Sequence, residues 1–314
     1  MLQVFDELLY SVFALVGRLR AFCYGIMASI VNKFGLASRI APAAEWQAFT
    51  TAMQCGLRHR QLRSEQEDLP YHEDLIPLGS PKGVEMLDKA AKQGTARREL
   101  VNCQVRQSHP AFCGLAAVAT VMRAASVFDD RKFIAWSEHR GPEWAVTAPM
   151  QKNFPPDFFR HFGFSFLDRY PAMIKFQLFK QVLQYDGVPL AAIPIFFGYQ
   201  GWPCKVMGPP TSQNILEKDI LPMIYTEQEG KRTFVVANYG RPIMRQRGSG
   251  HFAPLAAVVD DHVLVVEVNN WRYPSVWVPM GLMFDAVSAL TPQGKPRGLC
   301  IVEQEIGKPA SSTY

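Results

Sequence analysis

Four short runs in the last third of this 314-residue chain, 233–239, 252–259, 263–269 and 299–304, are apolar, mostly valine-rich and divided by turn residues. That pattern reads as antiparallel strands, because branched side chains suit a pleated surface and the breaks come too often for helices. The sequence ahead of them is helical in character. Ser80 and then Pro81 form an N-cap followed by a residue suited to the first helical position, and the pattern runs on to Lys92. Residues 114–126, GLAAVATVMRAAS, are small and almost uncharged, as a helix buried on most sides requires. Residues 172–185 are a further helical candidate. Helices first and strands afterwards indicate an α+β fold. Residues 188–210 hold five prolines and three glycines and read as a long irregular loop.

Composition narrows the function classes. With 48% hydrophobic and 19% charged residues the chain is neither disordered nor collagen-like. A net charge of +5 without a basic block points to no nucleic-acid partner. Six scattered cysteines, none in a CxxC pair, exclude a disulfide framework and give no metal-ligand spacing. Any cysteine chemistry must rest on one residue at a time.

Residues 1–70 read as an amino-terminal apolar or amphipathic extension, ahead of a catalytic domain at 71–308. The uncharged runs at 8–17 and 21–32 are 10 and 12 residues long, shorter than the ~18 a spanning helix needs. Three readings stay open for this part: helices packed on the main domain, a membrane-surface helix within residues 1–40, or an export signal within 1–44. The location is accordingly cytoplasmic, membrane-associated or exported, and a homodimer is equally open.

One cysteine stands immediately before the small-residue helix, in Gln107-Ser108-His109-Pro110-Ala111-Phe112-Cys113-Gly114. Pro110 is expected to hold the approach extended, and Gly114 to permit close backbone approach. A helix N-terminus carries unpaired N–H groups and partial positive charge, which favour thiolate over thiol. A free cysteine is ordinarily a buried apolar group, so its neighbours decide the matter. Gln107 is placed to donate its side-chain NH2 into an oxyanion hole with the N–H of Cys113. His251, in the glycine-flanked turn RGSGHFAP, is the best-placed base, with His109 as competitor. Gly248 and Gly250 allow a sharp turn and leave room beside the imidazole for substrate, so Gly250 and Phe252 are expected to line the substrate. Glu267 is a carboxylate in an apolar strand, costly unless paired, and an adjacent antiparallel strand would bring it to the far nitrogen of His251. Asn269 shares its face and is the alternative orienter.

The segments QSHPAFCGLAAVATVMRA, GSGHFAPLAAV, EVNNWRYPSVWVP, KPRGLCIVE and, upstream, LIPLGSPKGVEML resemble the catalytic domain of phytochelatin synthases, in the right order over about residues 75 to 305. The resemblance implies a papain-like cysteine peptidase fold, with Cys113 as nucleophile, His251 as base and acid, Glu267 as the third triad member and Gln107 as oxyanion donor. Arg241 and Arg297 match family arginines and are expected to clamp glutathione carboxylates. The implied activity is cleavage of the Cys–Gly bond of glutathione through a γ-glutamylcysteinyl thioester, released by water or by a second glutathione. No tightly bound cofactor is implied; cadmium or zinc would enter as a metal–glutathione thiolate substrate.

Three departures bear on this. Glu267 stands where the family has aspartate, residues 188–210 lengthen the interval from cysteine to histidine, and only ten residues follow Gln304. The expected form is the short prokaryotic type without a cysteine-rich tail. Two other readings remain open from sequence: a papain-like protease acting on a protein or peptide, and a catalytically inactive binding module.

Overall fold

In the computed structural model the Ser80 hydroxyl caps helix α1 (Pro81–Lys92), accepting from the N–H of Gly83, with proline in the first turn. The residues described are 72–125, 142–147, 149–150, 153–162, 164–169, 171, 175–176, 179, 182–183 and 187–307. The expected extension at 1–70, with its membrane, export and packing readings, lies outside them, as does most of the helix expected at 172–185.

Two compact units are present. In the smaller, described residues between 156 and 183 gather phenylalanine rings: Phe158 meets Phe179 edge-on at 5.1 Å and Phe162 at 5.3 Å. The Asp168 carboxylate accepts the backbone N–H groups of Phe159 and Arg160 there.

The larger unit carries helices and an antiparallel sheet. After α1 come α2 (Arg98–Asn102), α3 (Cys113–Ala124), α4 (Ile193–Gly198) and α5 (Met280–Ser288). The strands are β1 (Ile76–Pro77), β2 (Cys204–Met207), β3 (Glu227–Gln228), β4 (Lys231–Tyr239), β5 (His251–Val259), β6 (His262–Val265), β7 (Val276–Pro279) and β8 (Gly298–Glu305). They pair in the order β1-β7-β6-β5-β4-β8-β2, with β3 beside β4. Mixed helix and antiparallel sheet is the α+β class expected. No helix among the described residues is long and apolar enough to cross a membrane.

Helix α3 follows its composition: ten of its twelve residues are buried, and it packs on β5 and on the 3-10 turn Pro142–Thr147. A Cβ on Gly114 would lie 3.0 Å from the Val188 side chain, so that position admits little more than hydrogen. One face of the sheet is closed by a core that includes Val235, Leu255, Val265, Met283 and Val287. Each fully buried side chain of this size contributes about 1.5–3 kcal/mol relative to exposure.

Two expectations are corrected. Residues 188–210 are not an irregular loop throughout, since they contain α4 and the edge strand β2. Pro194 sits in the first turn of α4, where its missing N–H costs nothing. The strand expected at 263–269 stops pairing with β5 and β7 at Val265, although the N–H of Val266 still reaches the carbonyl of Pro254.

Register places the site. Tyr239 pairs with His251, and Asn238 with both Phe252 and Gly298, so the end of β4 meets the beginnings of β5 and β8. Glu267 follows the end of β6, which runs antiparallel to β5, and therefore arrives at the same end of the sheet.

Candidate active site

Cys113 is the first residue of α3, so its own N–H has no acceptor within the helix, and its side chain keeps partial exposure. The approach differs from the extended segment expected. Phe112 donates its N–H to the carbonyl of His109 at 3.0 Å, closing a turn with Pro110 in its second position. That position suits the fixed φ of proline. Nδ1 of His109 accepts the N–H of Ala111, so the competing base serves the turn.

His251 is buried and hydrogen-bonded to the Cys113 thiol. Its Nε2 lies 2.5 Å from Oε1 of Glu267, an ion-pair contact in which the ring N–H is not aligned on the oxygen. That leaves Nδ1 for the sulfur. Glu267 is held from three sides: Arg241 donates to both oxygens at 3.1 Å, Asn269 donates its backbone N–H at 2.7 Å, and His251 closes the set. Of the two candidate orienters it is thus Glu267 that meets the imidazole, while Asn269 steadies the glutamate through its main chain.

The charges follow from these contacts. Burial alone would push the Cys113 thiol up, but the hydrogen bond and charge of His251, the N–H of Phe252 and the charge of Arg241 outweigh it, and the thiol sits below its ordinary value. Burial and Arg241 disfavour a charged imidazole at His251, yet Glu267 and the bond to Cys113 prevail and raise it. For Glu267 burial is likewise overcome, by Arg241, His251 and the Asn269 N–H, and its pKa falls to about 2. All three shifts run in the same sense, toward a thiolate beside an imidazolium, backed by a carboxylate.

This state predicts selective alkylation. With limiting iodoacetamide at about pH 7, Cys113 should be labelled before Cys103 and Cys204, and its rate should fall as pH drops through the lowered thiol pKa. Cys300 is expected to stay inert, because its contact with Cys204 and its burial push its thiol well up. Peptide mapping of the labelled protein measures both; preferential labelling of another described cysteine would contradict the arrangement.

Gln107 is buried beside this group, its backbone N–H donating to the carbonyl of Val268 at 2.9 Å. One N–H of its side-chain amide is engaged by the carbonyl of His109 at 2.9 Å, which leaves the other available. Arg241, expected as a carboxylate clamp for a ligand, is buried and committed to Glu267, with Gln246 at 2.5 Å and the Tyr273 ring at 5.1 Å. The carboxylate it clamps belongs to the protein. Arg297 differs: it is buried, donates to the Ser249 carbonyl at 2.6 Å and toward Asn238 at 3.4 Å, and meets no carboxylate among the described residues. Its pKa is lowered by burial, with the nearby Cys113 charge opposing.

Gly248 does adopt the turn geometry glycine permits, with φ of +104°. The space beside Gly250, expected to admit substrate, is filled by Arg297: a Cβ there would run into the guanidinium at Nη1. Phe252 is buried, and its contribution to the site is the backbone N–H directed at the Cys113 sulfur.

Sequence reasoning missed Tyr239, Gln246 and Tyr273. Tyr239 packs edge-on against His251 at 5.6 Å, and burial followed by the Glu267 charge keeps its phenol well above the usual range. Only the pairing of β4 with β5 reveals it, since it lies 12 positions before His251. Among the described residues no three His, Cys, Asp or Glu side chains converge to hold a metal.

The phytochelatin synthase family model matches residues 64–140 and 156–299. The chain is 25% identical over 239 residues to glutathione gamma-glutamylcysteinyltransferase 1 of Arabidopsis thaliana, covering 74% of this chain and 43% of that protein. It is 26% identical over 234 residues to glutathione gamma-glutamylcysteinyltransferase 3 of Lotus japonicus, covering 73% and 42%. To the glutathione gamma-glutamylcysteinyltransferase of Schizosaccharomyces pombe it is 21% identical over 234 residues, covering 73% and 49%. The matched part spans less than half the length of each of these relatives. With both matched stretches together spanning well over half its length, this chain belongs to the phytochelatin synthase family.

Proposed function

We propose that this chain cleaves the Cys–Gly bond of glutathione and passes the γ-glutamylcysteinyl group to water or to a second glutathione. One observation carries the reading: a partly exposed cysteine at a helix N-terminus, hydrogen-bonded to a histidine whose other nitrogen meets a buried, ionised carboxylate. A nucleophile at a helix start, with its base on a later strand and its orienter just past the end of the next antiparallel strand, also supports a papain-like fold. The names of the relatives supply the substrate class.

The chemistry follows from the groups present. The Cys113 thiolate attacks the carbonyl carbon of the Cys–Gly peptide bond, and the developing oxyanion faces the N–H of Cys113 and the free amide N–H of Gln107. As the tetrahedral intermediate collapses, the imidazolium of His251 gives its proton to the departing glycine nitrogen, leaving a thioester on Cys113. His251, now neutral, takes a proton from water, yielding γ-glutamylcysteine, or from the amino group of a second glutathione, yielding phytochelatin. Arg297, a buried guanidinium that meets no carboxylate among the described residues, suits a substrate carboxylate. Cadmium or zinc would take part as the thiolate complex of glutathione, bound to the substrate's own sulfur.

Incubation with glutathione, with and without cadmium, tests this by mass spectrometry of the products. Release of glycine is expected in both, with phytochelatin or γ-glutamylcysteine as its counterpart. No glycine from a protein whose Cys113 still alkylates selectively would remove glutathione as the substrate.

A further inference from the structure

Glu143 is a buried carboxyl that the proposed chemistry does not use. It lies in the 3-10 turn Pro142–Thr147, which packs on α3. Its Oε1 accepts from the Ser108 N–H at 2.8 Å and from the Ser108 hydroxyl at 2.5 Å, while its Oε2 is buried without a hydrogen-bond partner. Ser108 directly follows Gln107. The N–H of Gln107 itself is tied to the carbonyl of Val268. The segment that carries the amide is thus gripped at two successive residues, Gln107 by Val268 and Ser108 by Glu143.

We propose that Glu143 is a positioning residue which, through Ser108, sets the Gln107 amide opposite Cys113. The inference rests on Gln107 acting as an oxyanion donor. A surface carboxylate would do this poorly, because a solvated side chain fixes no geometry. A buried one with both contacts on a single oxygen does so at the cost of leaving the second oxygen unpaired. Burial pushes the Glu143 carboxyl up, and the two bonds from Ser108 only partly reverse this. A group held toward its neutral form is well mimicked by glutamine, whose carbonyl oxygen can accept the same two bonds.

Two reactions of Cys113 separate positioning from general damage. Alkylation by iodoacetamide needs only the thiolate, whereas the burst of p-nitrophenol from p-nitrophenyl acetate, read above the Cys113→Ala background, passes through an oxyanion. Glu143→Ala is expected to slow the ester burst about 10-fold or more with the alkylation rate unchanged, and Glu143→Gln to keep both within about 3-fold of the parent. A parallel loss of both rates in Glu143→Ala, or no loss in the burst, overturns the proposal. Should that variant not fold, Ser108→Ala decides: a burst slowed about 3-fold at unchanged alkylation supports it, and an unchanged burst overturns it. Glycine release from glutathione is followed separately. A parent protein that gives the burst but no glycine loses the glutathione reading and leaves this one standing.

Discussion

Replacing Cys113 with alanine is expected to lower glycine release from glutathione by about 10⁴-fold or more, the scale on which loss of a catalytic nucleophile acts. The reason is particular to this cysteine. Its sulfur takes a hydrogen bond from His251 and the N–H of Phe252, and it stands at the first residue of α3, so no other described thiol shares its environment. Cys103 and Cys204 do not open a buried helix, and Cys300 is buried in β8. Folding should barely change, because alanine suits a helical position and the side chain lost is small and partly exposed, so thermal stability is expected to move by no more than about 1 kcal/mol. Steady-state glycine release alongside a melting curve checks both halves. Full activity in a folded Cys113→Ala protein would leave the thioester route without its nucleophile.

The second large effect is at Glu267. Glu267→Ala leaves the Arg241 guanidinium buried and unpaired, and removing one partner of such a pair costs about 3–5 kcal/mol. The same change frees the His251 ring, and the rate should fall by roughly 10²–10⁴-fold. Stability and rate can be separated. Adding Arg241→Met removes the stranded charge, so the double variant should regain much of the lost stability while the rate stays low, since His251 still lacks its partner. Denaturant titration and glycine release measure the two. If the double variant recovered rate together with stability, Glu267 would serve only to neutralise Arg241.

The same pair sets an acid limit. The Glu267 pKa falls to about 2, below the ordinary glutamate value of about 4.3. A carboxylate lowered in the folded state contributes stability that is complete above its unfolded value and lost as pH falls through its folded one. The contribution is therefore present at neutral pH and drains away between about pH 4 and pH 2, a limb that Glu267→Ala should lack.

Much of this site is legible in sequence because local chemistry marks it. Ser80 and Pro81 announce α1, and Cys113 before a run of small apolar residues announces a buried helix with a thiol at its start. Glu267 is visible because a lone carboxylate among valines demands a partner, and strand antiparallelism names His251 as the candidate. What stayed hidden depends on register and on side-chain competition. The family resemblance marks Arg241 as a ligand clamp, and only the meeting of β4, β5 and the segment after β6 turns it toward Glu267. Gly250 suggests open space, yet Arg297, 47 positions later, fills it from the start of β8. The prolines of residues 188–210 conceal α4 because one of them occupies a helix's first turn, where proline is no breaker. Glu267, standing where the family has aspartate, is satisfied by Arg241, Asn269 and His251 together.

The central claim is that Cys113 carries the γ-glutamylcysteinyl group. Intact-protein mass spectrometry after acid quenching of a brief reaction with glutathione tests it most directly, followed by peptide mapping of the adduct. The expected result is a γ-glutamylcysteinyl thioester on the peptide containing Cys113, formed together with free glycine and absent from Cys113→Ala. Glycine released with no adduct on that peptide at any quench time, or an adduct on a different residue, would contradict it.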